Sequence, residues 1–376
     1  ALLFLVFVAA RVSLGQTSQP AASQGAHSEV IRIDAPGVLD KEGATYLLTK
    51  DVSADGTAFT VKADNVTLDL GGHTLTYNAK PSDAPVHAVV NADDRKPGRL
   101  GRGYHNLTVR NGTILQGAGK SEASTALMLG GQFCKGQNIH DLVIHVQGEQ
   151  CMAMAGTAND SRIHGNFIHS QATSSRMDGG GANAIGIGAD LGGAEVFENV
   201  ILGSHRGISI GGAAGYKGTY LQQLGGARKS RIHHNLIQNR RLLGGNKAPY
   251  GIGCFNSKLL EIDHNQLISD EARGIILDGN KAGGTTDSDV HDNWIDVCYR
   301  SKVTSGHYVE NQVYGIRDRY NSGRNTIRDN RILVDNAIPE GQCAGLYVGS
   351  DEKEAGMDGI VIRDNFVFAT GGDKGW

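Results

Sequence analysis

The sequence has few aromatic residues, almost no net charge and no apolar run of membrane-spanning length. Among 376 residues there are 11 Tyr, 9 Phe and 2 Trp. The 36 Lys and Arg against 39 Asp and Glu leave a formal charge of −3, and no long basic run occurs. That balance gives no reason to expect a nucleic-acid partner. The five cysteines, Cys134, Cys151, Cys254, Cys298 and Cys343, are odd in number, widely spaced and without a C-x-x-C pair. This argues against a disulfide scaffold and a zinc site. Cys254, within Gly251-Ile252-Gly253-Cys254-Phe255, reads as a buried small thiol. Aliphatic residues are plentiful and charge is low, which excludes disorder.

What the chain has in excess is glycine, 53 residues. Gly does not fall at every third position, so collagen is excluded. Each Gly inside a helix costs about 1 kcal/mol relative to Ala, which disfavours a helical bundle. A Gly-rich, turn-rich all-β chain remains.

The first ten residues, Ala-Leu-Leu-Phe-Leu-Val-Phe-Val-Ala-Ala, are too few to span a bilayer, for which about 20 are needed. They fit the apolar region of a secretory signal, with Ser13-Leu14-Gly15 as a small-residue cleavage site. A basic leader and an initiator Met are missing. We therefore read 1–15 as a clipped signal, 16–29 as a polar linker and 30–376 as the folded unit, truncated at its C-terminus. The expected location is secreted or periplasmic, with no membrane association after signal cleavage.

Internal repeats dominate the rest. One unit is a β-branched residue, two variable residues, Asn, a variable residue and an apolar one. It occurs as Ile163-His164-Gly165-Asn166-Phe167-Ile168 and Val196-Phe197-Glu198-Asn199-Val200-Ile201, and again around Asn235, Asn265, Asn293, Asn330 and Asn365. The Asn-to-Asn steps are 33, 36, 30, 28, 37 and 35. Between the copies a Gly leads alternating apolar residues, as in Gly207-Ile208-Ser209-Ile210 and at Gly251, Gly274, Gly315 and Gly345. Each period thus holds at least two short strands, and uneven spacing suits a solenoid with variable loops. Equivalent strands would pair in parallel about 4.8 Å apart around one core. Asn at the corner is expected to tolerate a left-handed backbone and to stack its amides into a ladder.

These repeats, with Asn65-Val66-Thr67-Leu68-Asp69-Leu70-Gly71-Gly72-His73-Thr74-Leu75 and Asn106-Leu107-Thr108-Val109-Arg110-Asn111-Gly112-Thr113-Ile114, resemble the right-handed parallel β-helix repeat proteins of the pectate-lyase-like superfamily. The resemblance covers roughly residues 44–376. It implies an all-β, single-stranded right-handed parallel β-helix (solenoid) of about ten turns. The superfamily hosts many chemistries, so activity must be argued from residues.

Alternation places Ile208, Ile252, Ile275, Ile316 and Leu346 inward, and Ser209, Gly253, Ile276, Arg317 and Tyr347 outward. Two residues on, the outward column is Gly211, Phe255, Asp278, Arg319 and Gly349. Asp278 and Arg319 then fall on adjacent turns with Arg317 beside them. Asp318 has inward parity at a strand end. Arg binds carboxylates in bidentate fashion. Neutralising a uronate carboxylate eases removal of its C5 proton, leading to β-elimination or re-protonation. The catalytic candidates are Arg317, Arg319 and Asp278, with Lys281, Tyr314, Tyr347 and His307 as bases within loop reach. Tyr347, Phe255, His205 and Arg206 are the candidate substrate contacts. A plain Asp278–Arg319 surface ion pair, worth under about 1 kcal/mol, is the competing interpretation.

The leading expectation is a lyase or C5-epimerase acting on a uronate-containing polymer. A non-catalytic carbohydrate-binding or surface-structural protein is the alternative, and a glycoside hydrolase a further one. A hydrolase needs two carboxyls about 5–9.5 Å apart, and Asp278 with Asp318 is a weak pair. Ser204-His205-Arg206-Gly207 resembles the Gly-His-Gly segment of polygalacturonase-type hydrolases, with Ser204 and Arg206 in place of both glycines. One turn earlier, Asn183-Ala184-Ile185-Gly186-Ile187 stands where that family's Asp pair would be. Asp292, Asp329 and Asp364 precede the corner Asn on three turns and could take Ca²⁺, which wants about 6–8 oxygen ligands. Arg328 and Arg363 beside them favour charge pairing, so no residue is assigned to a metal. Insertions at 211–229, 239–250 and 300–313 hold Tyr216, Lys217, Tyr220, Lys247, Lys302 and His307. The expected partner is a polysaccharide, and the protein is read as a monomer.

Overall fold

The computed structural model describes residues 29–370, save 83–84, 92–102, 120–123, 130–133, 148–151, 157–158, 172–182, 191, 213–228, 241–248, 271–272, 280–282, 300–311, 321, 337–341 and 350–356. Residues 1–15, expected to be a signal, and almost all of 16–29, expected to be a linker, lie outside the described residues, as do the cores of the three insertions. Within the described residues there are strands but no helix, hence none long and apolar enough to cross a membrane.

The strands stack into two sheets, one of 21 strands and one of eleven, and pair in parallel from coil to coil. This is the parallel β-helix that the repeat spacing predicts. From residue 162 onward the coils give the larger sheet two strands each, one on each side of the repeated Asn, and up to residue 349 the smaller sheet one, which from Gly207 onward carries the repeated Gly near its start.

Three aliphatic columns fill the core. Ile139, Ile163, Val196, Ile232, Ile262, Val290 and Ile327 stand in register before the Asn corner. Ile144, Ile168, Ile201, Ile237, Leu267, Ile295 and Ile332 follow it. Ile185, Ile208, Ile252, Ile275 and Ile316 form the third, on the smaller sheet. All of these are buried. At about 1.5–3 kcal/mol for each side chain taken out of water, the columns are the main source of stability.

The corner Asn residues form the expected ladder. Asn166, Asn199, Asn235, Asn265, Asn293 and Asn330 each donate Nδ2–H to the Oδ1 of the next, ending on Asn365, at 2.9–3.0 Å. The left-handed backbone, however, belongs to the residue before the Asn. Gly165, Glu198, His234, His264, Asp292, Asp329 and Asp364 have φ of 53–63°. The reason is that the Asn must turn its amide inward to reach its neighbours. The preceding residue makes the bend instead.

The repeated Gly column answers to close approach rather than to backbone freedom. A Cβ on Gly274 would strike the Gly315 carbonyl of the next coil and Ile295 across the core. Gly315 faces Ile332 and the Gly345 carbonyl in the same way. Gly274→Ala is therefore expected to destabilise the fold by about 1–3 kcal/mol through overpacking, measured by urea unfolding.

On the outer face of the larger sheet, alternation aligns a ring stack. His140, His164, Phe197 and His233 pair in register on four coils. Their ring centres lie 5.0, 4.6 and 5.0 Å apart. Burial and the neighbouring His140 hold His164 below its usual 6.5. Burial and the neighbouring His233 and His264 do the same to His234. Burial pushes Asp263 upward, but hydrogen bonds from Arg231 and His264 outweigh it and hold the carboxyl at about 2. The two effects share a sign. Below pH 6.5 the unfolded chain takes up protons that these folded histidines resist. Between 3.8 and about 2, Asp263 loses its ionised advantage. Between about 6 and 3.8 the histidine loss is opposed by the buried Asp318 carboxyl, which is raised to about 6 and gains its proton first in the folded chain, so the urea midpoint should fall clearly between pH 3.8 and about 2. A midpoint independent of pH over that range would contradict the assignment.

Candidate functional site

In a flat strand, residues three apart face opposite sides. In the eleven-stranded sheet they converge. On strand Gln312–Arg319 the Arg317 guanidinium lies 5.8 Å from the centre of the Tyr314 ring. A Cβ on Gly253 would meet the Tyr250 ring, three residues back. The cause is a kink at the leading glycine: the register runs Tyr250↔Arg273 and then Ile252↔Ile275, passing over Gly251 and Gly274. Side chains from both sides of the kink gather on one face of the sheet, the candidate groove.

Before the kink stand Arg206, Tyr250, Arg273 and Tyr314, all buried. Arg206 lies 5.0 Å from the Tyr250 ring centre and Arg273 5.6 Å from that of Tyr314, both at cation–π distance. After the kink come Ser209, Ile276, Arg317 and Tyr347 in one register column. The Tyr250 hydroxyl donates to Ser209 Oγ at 3.1 Å. The Tyr314 and Tyr347 ring centres are 4.9 Å apart. Phe255, half-buried, adds a ring 5.7 Å from Tyr250.

Asp278 is the carboxylate of this groove, and its close partner is Arg317, not Arg319. Arg317 Nη2 donates to Asp278 Oδ2 at 2.5 Å, whereas Arg319 Nε is 3.7 Å from Oδ1. Arg317 is 2% exposed and Asp278 6%, so this is a buried pair and not a surface one. Arg319 lies over the Tyr320 ring at 3.8 Å. Burial lowers the affinity of Arg317 for its proton. Burial and the adjacent Arg317 pull Arg273 down to about 9. Positive charge is thus crowded, and an anion entering the groove would relieve it.

Burial raises the Tyr314 phenol, outweighing the opposite pull of Arg273 and Arg317. Asp318 is fully buried in the inward column. It accepts from Asn325 Nδ2 at 3.0 Å, and burial raises its carboxyl to about 6. It does not face Asp278 across the groove, which removes the hydrolase pair. His205 is buried between strands Val200–Ser204 and Arg206–Gly212. Lys281 and His307 lie outside the described residues, as do Tyr216, Lys217, Tyr220, Lys247 and Lys302.

The Asp column of the larger sheet is engaged along its own coils. Asp292 meets His291 Nδ1 at 2.8 Å, and Asp329 and Asp364 accept from Arg328 and Arg363 at 2.9 Å. Two of the three carboxylates are thus paired with the adjacent Arg, and the third is bonded to the adjacent His.

Sequence reasoning missed Tyr250 and Arg273. The signal was available: the residues preceding Gly207, Gly251, Gly274 and Gly315 read Arg, Tyr, Arg, Tyr. Arg206 and Tyr314 belong to the same column, but parity along a flat strand does not connect them with Tyr250 and Arg273.

No protein-family model matches the chain, and no curated protein matches it. Among solved structures it is similar to XylC with xylose, at 13% identity and a TM-score of 0.45, over 83% of this chain and 54% of that one. It is also similar to a mutant tailspike protein of E. coli bacteriophage HK620 in complex with pentasaccharide, at 12% identity and a TM-score of 0.40, over 90% of this chain and 59% of that one. The A-module of the Azotobacter vinelandii mannuronan C-5 epimerase AlgE4 is similar at 14% identity and a TM-score of 0.29, over 89% of this chain and 91% of that one. The chain spans little more than half of the first two proteins. On the register of its own two sheets, the chain is a parallel β-helix protein.

Proposed function

We propose that this β-helix is exported, holds a uronate-containing polysaccharide along the Arg–Tyr groove, and acts on it as a carbon–oxygen lyase or C5-epimerase. What carries the proposal is the placement of Arg273, Arg317 and Arg319 with Tyr314 and Tyr347 on successive coils over one groove. Coils repeat about every 4.8 Å, so a polymer lying along the axis meets a cation and a ring repeatedly. Arg319, the more exposed of the two, would pair with the uronate carboxylate, and the positive charge of Arg317 behind it would help stabilise the charge that develops when C5 loses its proton. In the lyase the C5–H electrons form a C4–C5 double bond, the C4–O bond breaks, and the leaving oxygen takes a proton. Tyr314, kept protonated, suits that last donation. In the epimerase C5 is re-protonated from the opposite face. Tyr347, Lys281 and His307 remain the proposed bases.

A second function, binding without chemistry, has one observation in its favour. Among the described residues of the groove, Asp278 is engaged by Arg317 and Tyr314 stays protonated. Ultraviolet absorbance on pectate, alginate and glycosaminoglycans detects the lyase, and C5 proton exchange in D₂O the epimerase. Turnover should fall about 10²–10³-fold in Arg319→Ala. Binding of an acidic polymer without turnover in either assay selects the binder. No binding and no turnover on any acidic polymer would defeat both.

A further inference from the structure

The larger sheet carries a second cluster, independent of the groove. On strand Leu260–Asp263, Glu261 and Asp263 point outward. On the next coil Asp289 and His291 stand opposite them, Glu261↔Asp289 and Asp263↔His291. Donor atoms of Glu261, Asp263 and His291 lie within 4.8 Å of one another.

The hydrogen bonding of His291 makes this more than a set of neighbouring charges. Its Nδ1 lies 2.8 Å from Asp292 Oδ2. An ionised carboxylate only accepts, so Nδ1 carries the hydrogen. The Nε2 of a neutral ring then directs a lone pair at Glu261 Oε1, 3.3 Å away, with Asp289 Oδ2 at 3.9 Å. Acceptors facing one another repel, so the arrangement calls for a cation at Nε2, either a second proton or a metal ion. A carboxylate holding the far nitrogen of a ligating His is also the usual support of a bound metal.

Cations already hold part of this cluster. Lys229 takes Glu261 Oε2 at 2.6 Å, leaving Oε1 toward His291. Arg231 grips the buried Asp263 with both nitrogens, Nε on Oδ1 at 2.7 Å and Nη2 on Oδ2 at 2.6 Å, and His264 Nδ1 lies 2.8 Å from Oδ2, so Oδ1 has one side-chain partner and keeps a further lone pair. Arg328 donates to Asp289 Oδ2 at 3.0 Å.

We propose that Glu261, Asp263 and His291 bind a first-row divalent ion that ties two adjacent coils together. One imidazole with two carboxylates suits Zn²⁺ and its neighbours, while Ca²⁺ and Mg²⁺ prefer all-oxygen sites. Bonds of about 2.0–2.2 Å allow donors at most about 4.4 Å apart, so the cluster closes slightly on the ion. The long Glu261 side chain can supply that movement.

The test is calorimetric titration of the chelator-treated whole chain with Zn²⁺, repeated with Co²⁺ for its visible spectrum. One ion per chain and a raised thermal midpoint are expected. His291→Gln should weaken binding at least 100-fold, and Asp292→Asn about 10-fold. His145→Gln, elsewhere on the same sheet, should bind as wild type. If His291→Gln fails to fold, Glu261→Gln carries the test at an accessible position. No Zn²⁺ binding by the wild type at millimolar metal would overturn the site. So would wild-type affinity in folded His291→Gln or Glu261→Gln, which would leave His291 doubly protonated in place of metal-bound.

Discussion

Asn265→Ala is expected to cost about 3–5 kcal/mol, because it strands several buried groups at once. Asn265 Nδ2 donates to Asn293 Oδ1, Ile232 O and Asp263 O. Its Oδ1 accepts from both the backbone and side-chain N–H of Asn235. Each buried group left without a partner costs about 1–3 kcal/mol, and no water reaches this corner to replace the amide, since Asn265 is buried. Asn265→Asp should also destabilise, since a carboxylate accepts but cannot donate. Asn365→Ala, on the more exposed last described rung, should cost about 1 kcal/mol. Urea unfolding at unchanged slope measures all three. A loss below about 1 kcal/mol for Asn265→Ala would mean that the aliphatic columns alone hold the coils.

Arg317→Ala is expected to cost a further about 3–5 kcal/mol in its own right, because it leaves Asp278 buried without its close partner. Arg319→Ala removes a contact of 3.7 Å from a side chain that is 13% exposed, and should cost under about 1 kcal/mol. The contrast identifies which arginine Asp278 depends on. A double variant, Arg317→Met with Asp278→Leu, should regain most of the loss, since a buried ion pair replaced whole by apolar side chains is often neutral. If Arg319→Ala proves the more damaging of the two, the position of Arg317 described above is wrong.

The coil structure was legible because its signal is repeated. Seven Asn residues at related steps and five leading glycines align the same strands that the register pairs, down to Ile208↔Ile252 and Ile275↔Ile316. The Asn ladder followed from that alignment. The bend position did not, because Asn is itself a good left-handed residue and nothing in the repeat tells which of two neighbours turns. The groove was half legible. Parity found Arg317, Asp278 and Arg319 but matched Asp278 with Arg319, since counting along flat strands cannot see a kink at Gly315. That kink brings Tyr314 and Arg317 to one side and so creates the site. Aromatic residues are scarce over the chain as a whole. In the fold, Tyr250, Phe255, Tyr314 and Tyr347 gather at one groove, and local density counts for more than the total. Glu261, Asp263 and His291 escaped notice because their contact is set by register between coils, and their sequence spacing resembles no metal motif.

The central claim is that the groove recognises the carboxylates of an acidic polysaccharide. Calorimetry on the whole chain with acidic polymers and the same polymers after carboxyl reduction tests it most directly. The acidic form should bind at least about 10-fold more tightly than the reduced form, as expected for charge-assisted arginine contacts. Arg319→Ala should lose that preference while keeping the wild-type unfolding midpoint. Equal binding of the acidic and reduced forms, or an unchanged preference in Arg319→Ala, would contradict the claim.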